Sequence, residues 1–402
     1  MNSQLVTPKT LVIGFIPLLD CASLVIAVEK GFVGAEGLNV ALVRESSWAN
    51  IRDRLIVGHF DAAHTLGPMT LASTLGIGHL KVPLIAPYSL GLGGNAITAG
   101  LPLWRAMQEH GAVAGGEPSR QAAALAKVVK QRAENGLPPL QLGMVYPFSC
   151  HNYELRYWLA VAGIDPDQDV RLAVIPPPLL VDALRAGQVD GYCVGEPWNS
   201  LAVMAGVGSI ITTTSAIWGL SPEKVLACRA DWAQKNPERL SALLRALYRA
   251  SAWCERPENH AELATILAEP RYVGVAAEIL RMGISGDLLY QPNGSPIPTK
   301  DFLVFARHHA TFPWISHAAW FYSQMVRWGQ TPENDAQGRA ACSAYRPDLY
   351  RQALSSLGVK LPEPNEKTEH TFFDGKSFDA HALHTYIAES SPLLRELRAA
   401  EF

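Results

Sequence analysis

The tripeptide Ser46-Ser47-Trp48 follows an apolar run, Val40 to Val43, and opens a helical pattern. Hydroxyls, an indole and free backbone N–H groups at a helix N-terminus suit a small anion. The same residues also read as a serine N-cap followed by an aromatic packing residue. Other single polar residues recur where strands end and helices begin, the places where open α/β sheets bind ligands. His151 opens a helix after Pro147-Phe-Ser-Cys150 and offers an imidazole to an anion, or simply caps that helix. Asn95 follows Gly93-Gly94, a context that serves a turn as readily as a ligand. Lys224 stands at the start of an expected strand, where an exposed lysine is the ordinary case. Glu196-Pro-Trp198 either lines a cleft or makes a strand-to-helix turn with Pro197 at N1.

Catalytic signatures are missing from the same places. G-x-S-x-G, H-E-x-x-H and the P-loop pattern do not occur, and Gly91-Leu-Gly-Gly-Asn-Ala96 lacks dinucleotide-fingerprint spacing. The 12 histidines are dispersed, and the adjacent His308-His309 diverge on a helix, so neither a metal site nor a cofactor is expected.

Positioning these residues requires short apolar strands alternating with amphipathic helices, the pattern of βα units. Strands are expected at 11–15, 40–43, 61–64, 142–146, 170–175, 191–194 and 210–214. Helices are expected at 23–30, from Trp48 to 57, and at 68–75, 121–135, 151–162, 179–186 and 197–205. From about Asn236 the pattern is mostly helical, and Gln291 to Pro298 and Leu361 to Asn365 read as Pro-rich loops. The economical architecture is two α/β lobes around a cleft with a helical C-terminal extension. Lobe I takes residues 1–97, lobe II 98–212, and residues 213–402 return to lobe I and form the extension. The chain is expected to cross between lobes near 95–99 and 210–214.

Composition narrows the function. The formal charge of -3, with 34 basic against 37 acidic residues, leaves no basic cluster to neutralise a row of phosphates, so direct nucleic-acid binding is not expected. No run reaches the roughly 18 apolar residues of a membrane span, so no membrane insertion is expected. The N-terminal residues show no secretory signal pattern, and the six widely spaced cysteines form no C-x-x-C pair. Buried free thiols in a reducing cytoplasm are the resulting expectation.

Read together, Ile13-Gly-Phe-Ile-Pro-Leu-Leu-Asp-Cys-Ala22, Glu45-Ser-Ser-Trp-Ala-Asn-Ile-Arg-Asp53, Asp61-Ala-Ala-His64, Gly94-Asn-Ala-Ile-Thr98, Arg156-Tyr-Trp-Leu-Ala160, Gly163-Ile-Asp-Pro166 and Gly195-Glu-Pro-Trp198 resemble the nitrate-binding proteins of ABC-type nitrate/bicarbonate uptake systems. The cytoplasmic NasS-type nitrate/nitrite sensors share these motifs and are the nearest fit. The resemblance runs from about residue 10 to 260 and implies a type II periplasmic-binding-protein-like fold. By motif it places oxyanion ligation on Trp48, Asn95, His151 and Lys224, with Glu196 as a further cleft residue. The amide position is often glutamine in transport members, so Asn95 is a shorter variant. The bicarbonate branch carries an acidic residue and a calcium ion where this chain keeps Lys224, which favours nitrate or nitrite.

Nitrate is planar, monovalent and accepts hydrogen bonds without donating any, so an indole, an amide, an imidazole and an ammonium suit it. The sensor expectation adds an RNA-binding antiterminator as partner, released when nitrate closes the lobes. The alternative is the substrate-binding component of an ABC-type transporter. An enzyme of the thiamine-pyrimidine type, using Cys150 or Cys193, is a third class that burial of these thiols makes unnecessary.

Overall fold

A computed structural model of the chain describes residues 10–78, 80–369 and 372–390. The N-terminal residues 1–9, on which the missing-leader expectation rests, lie outside that range. In chain order the strands of the two main sheets, with the short β5 that lies outside both, are β1 (Leu11–Phe15), β2 (Val40–Arg44), β3 (Ala62–Leu66), β4 (Leu84–Ser89), β5 (Leu92–Gly93), β6 (Asn95–Gly100), β7 (Leu140–Met144), β8 (Val170–Val174), β9 (Gly191–Gly195), β10 (Gly208–Thr213) and β11 (Lys224–Arg229).

One five-stranded sheet has the order β2-β1-β3-β11-β4 and the other β10-β6-β9-β7-β8. β1 pairs in parallel with β2 and β3, and β11 runs antiparallel to β3 and β4. In the second sheet β7 is parallel to β8 and β9, while β6 is antiparallel to β9 and β10. The strands buried on both faces, such as Ala62–Leu66 and Gly191–Gly195, have every residue buried, so they show no polar alternation, although the first carries the buried His64 and Thr65.

The crossings fall elsewhere than expected. Residues 95–100 and 208–213 pair with each other inside the second sheet, so divisions at 97/98 and 212/213 cut through strands. The chain leaves the first sheet after Ser89 and returns between Thr213 and Lys224. Extended, β-branched segments in an α/β chain belong to a sheet ladder before they serve as connections. The first crossing is held by Leu303–Val304, which pair antiparallel with Leu92–Gly93. Gly91, Gly93 and Gly94 all have positive φ, and a Cβ on Gly91 would stand 2.8 Å from the Val304 carbonyl oxygen, so the close approach requires glycine.

The C-terminal helices pack mainly on the first lobe. Ile315–Arg327 and Asp335–Ser343 lie on Gly67–Leu75, and Pro347–Leu354 lies on Pro237–Cys254 and β4. They also reach the second lobe, where the Tyr153 hydroxyl donates to Gln330 at 2.6 Å and the Tyr157 hydroxyl to Asp374 at 2.8 Å. All six cysteines are free, five buried and Cys342 half-buried. Among the described residues no helix is long and apolar enough to cross a membrane.

Candidate anion-binding site

The strand ends of the two sheets meet. Lys224 begins antiparallel β11 opposite Leu66, the last residue of β3, and Trp48 follows the end of β2. Across the cleft Asn95 begins β6 opposite Gly195, the last residue of β9, and His151 follows β7. Trp48, Asn95, His151 and Lys224 are each 1 % exposed or less, so the cleft is closed over them.

Two serine caps set the side chains. Ser47 Oγ accepts from Asn50 N–H at 3.2 Å and starts the helix Trp48–Ile56, turning the indole inward. Ser149 Oγ accepts from Asn152 N–H at 3.1 Å and starts Cys150–Val161, placing His151 in its first turn. The capping reading of Ser-Ser-Trp and the site reading therefore coexist: the serine serves the helix and the tryptophan faces the cleft.

Lys224 Nζ lies 2.7 Å from Asp20 Oδ2, pairs with Glu223, and stands 5.9 Å from the centre of the Trp48 ring. His64 meets the Trp48 ring edge-on at 5.3 Å and places Nε2 3.0 Å from Asp20 Oδ1. Its Nδ1 lies 3.4 Å from Ile16 N, as the acceptor of that N–H. His151 Nε2 is 3.4 Å from Glu223 Oε1. A Cβ on Gly195 would come 3.2 Å from Asn95 Oδ1 and 3.7 Å from Lys224 Nζ, which brings both lobes to one point.

Burial would lower the Lys224 pKa, but Asp20 and Glu223 outweigh it and hold the ammonium above its ordinary value. Burial would raise Asp20, and Lys224 with His64 instead holds it well below the carboxylate range. The His151 imidazole is pushed down to about 4 by burial against the opposing pull of Glu223, so it is neutral at pH 7. Trp48 Nε1, both side-chain amide atoms of Asn95 and both ring nitrogens of His151 are buried without a hydrogen-bond partner. Unmade hydrogen bonds of this kind cost about 1–3 kcal/mol each, and clustered donors around a lysine describe a place for a small acceptor.

Glu196 is set apart from this cluster. Its carboxyl oxygens accept from Ser200 N–H at 3.2 Å and from the Ser200 hydroxyl at 3.1 Å, closing the start of Trp198–Met204. Its side chain packs on Gly283. The turn reading of Glu196-Pro-Trp198 fits its position, and the backbone carbonyl of Glu196 accepts from Leu19 N–H at 2.8 Å as a bond between lobes.

The sequence reading did not single out Asp20, His64, Glu154 or Glu223. Asp20 and His64 sit in quoted motifs, and Glu223 beside Lys224, but spacing alone does not say that acidic side chains turn into an anion site.

Two α/β lobes joined by two crossings, with donors from both converging on a buried lysine, define a solute-binding protein of the periplasmic-binding type. Residues 6–268 match the model of the NMT1-like family, and the chain belongs to that family. It is 33 % identical over 383 residues to a nitrate/nitrite binding protein of Nostoc, covering 93 % of this chain and 84 % of that one. It is 29 % identical over 396 residues to a bicarbonate-binding protein of Synechococcus, covering 94 % and 86 %. The crystal structure of the periplasmic nitrate-binding protein of Synechocystis superposes with a TM-score of 0.87 at 30 % identity, over 96 % of this chain and 99 % of that one. The chain is thus a binding protein and not an enzyme.

Proposed function

We propose that the protein binds nitrate or nitrite as the solute receptor of an ABC-type uptake system. The observation that carries this reading is the set of unpartnered donors on Trp48, Asn95 and His151 around the buried Lys224 ammonium. The lysine supports a monovalent acceptor ligand over bicarbonate, because the family resemblance gives bicarbonate members an acidic residue and calcium there. The relatives support the receptor role over the cytoplasmic sensor expected first: those described above are binding proteins for nitrate, nitrite or bicarbonate, and a nitrate import ATP-binding protein is 37 % identical over 382 residues. An antiterminator partner draws no support from them.

Calorimetric titration of the full chain with nitrate, nitrite and bicarbonate tests the ligand. One saturable site for nitrate or nitrite is the expected result, and absence of both overturns the reading. A pull-down of an antiterminator that is held without nitrate and released with it would restore the sensor role.

A further inference from the structure

Glu154 lies one turn after His151 on the same helix, is 1 % exposed, and neither carboxyl oxygen makes a hydrogen bond. The Ser221 hydroxyl and the Asn95 amide lie toward it, with Glu223 and Lys224 as the nearby charges. The returning strand's Glu223 and Lys224 and the Cys150 thiol on its own helix act on this group directly, and they connect onward to the first lobe's Asp20 through Lys224, to His64 through Asp20 and to His151 through Glu223. The buried Cys193 of β9 also feels its charge, and Tyr345 of the C-terminal region lies beyond, toward Cys150 and Glu223. With the cleft closed and Glu154 ionised, three carboxylates and an entering anion would face one lysine. An unpaired buried charge of that kind is among the costliest arrangements in a protein. Opening the lobes admits water to Glu154, where a carboxyl group ionises normally at neutral pH.

We propose that Glu154 takes up one proton from solvent as the lobes close on the ligand, so that the site accepts an oxyanion and a proton together. The reaction is the conversion of a carboxylate to a carboxylic acid, with the solvent proton ending on Glu154 and no other bond changing. Burial, followed by the neighbouring Glu223, also raises the Glu154 carboxyl well above its ordinary value in the closed site. The sign follows from linkage: a group whose pKa is higher in the bound form favours binding fully below its open-state pKa, and that help is lost as pH rises toward its closed-state pKa. The proposal rests on the cleft binding an oxyanion.

Titration of the full chain with sodium nitrate near pH 7, in Bis-Tris and in Tris, reads the protons from the difference in buffer ionisation heat. The expected uptake is about one proton per nitrate, with affinity falling about tenfold per pH unit between roughly pH 7 and pH 8, above the range in which His151 gives up its own proton on burial. Glu154→Gln, neutral at every pH, is expected to bind with the uptake removed, whereas Glu196→Gln, at the buried carboxyl set apart from the donor cluster, keeps it. Equal heats in the two buffers overturn the proposal, as does an uptake that survives Glu154→Gln or disappears in Glu196→Gln. If Glu154→Gln fails to fold, the wild-type buffer pair and Glu196→Gln still decide. Loss of saturable heat for both nitrate and nitrite would instead overturn the oxyanion reading itself.

Discussion

A buried lysine needs partners before any ligand arrives, and Asp20 and Glu223 supply them to Lys224. An anion bound as proposed would therefore join an existing ion-pair network, and the lysine would contribute by a net gain rather than by a bare charge. Lys224→Ala is expected to weaken nitrate binding at least tenfold, about 1.4 kcal/mol, in a calorimetric titration; unchanged affinity would remove the residue from the site. Trp48→Phe keeps the ring against His64 and removes the unpartnered N–H. It is expected to cost about 1 kcal/mol of binding, the worth of one hydrogen bond, with little change in thermal unfolding. Trp48, His151 and Lys224 stood out through the family motifs, since position at a strand or helix end left each with a plain structural reading. Asp20, His64 and Glu154 did not, because their neighbours Leu19, Ala63 and Leu155 read as core, and a polar residue among core residues carries no sign of what it faces.

Helix starts and strand ends translate these identities into positions. Ser47→Ala removes the acceptor for Asn50 N–H, and an expected loss of about 1 kcal/mol is measurable by denaturant unfolding, with weaker ligand binding because the same cap orients Trp48. Gly195→Ala introduces a methyl beside Asn95 Oδ1 and Lys224 Nζ, so nitrate affinity should fall more than stability does. At the other end of that turn, burial outweighs the Ser200 bonds and moves the Glu196 carboxyl up to about 7. Its ordinary value is near 4.3, so its contribution to stability is full below that pH and is lost as pH rises through 7. Unfolding curves of wild type and Glu196→Gln should accordingly diverge above about pH 5, with the variant less sensitive; parallel curves would count against it. Most strands followed from apolar runs, yet β4 did not, because Pro83 and Pro87 argue against a strand. β4 is the edge strand of its sheet, with a register shift opposite Ala86-Pro87, and an edge or a bulge is where a sheet tolerates proline.

At the scale of the whole molecule, closure is held by contacts between lobes that lie outside the donor cluster. Arg52 of the first lobe donates to the Tyr146 hydroxyl of the second at 2.6 Å, and Trp198 Nε1–H donates to the Pro17 carbonyl oxygen at 3.2 Å. Arg52→Met should leave ligand contacts intact and speed nitrate release, read by stopped-flow displacement; an unchanged release rate would show that this latch does not resist opening. The two-lobe architecture was legible from alternating strands and helices, whereas the crossings were misplaced because a strand and a connector share the same extended, β-branched pattern. Long-range pairing, such as Leu303–Val304 against Leu92–Gly93, has no local signature at all. The C-terminal region, anchored on the first lobe and bonded through Gln330 and Asp374 to Tyr153 and Tyr157 of the second, makes the molecule less like a clamshell than like a book with one cover strapped down. To part the lobes, the molecule would have to break these two tyrosine bonds or carry the C-terminal region along with the second lobe, so the strap adds to the work of opening.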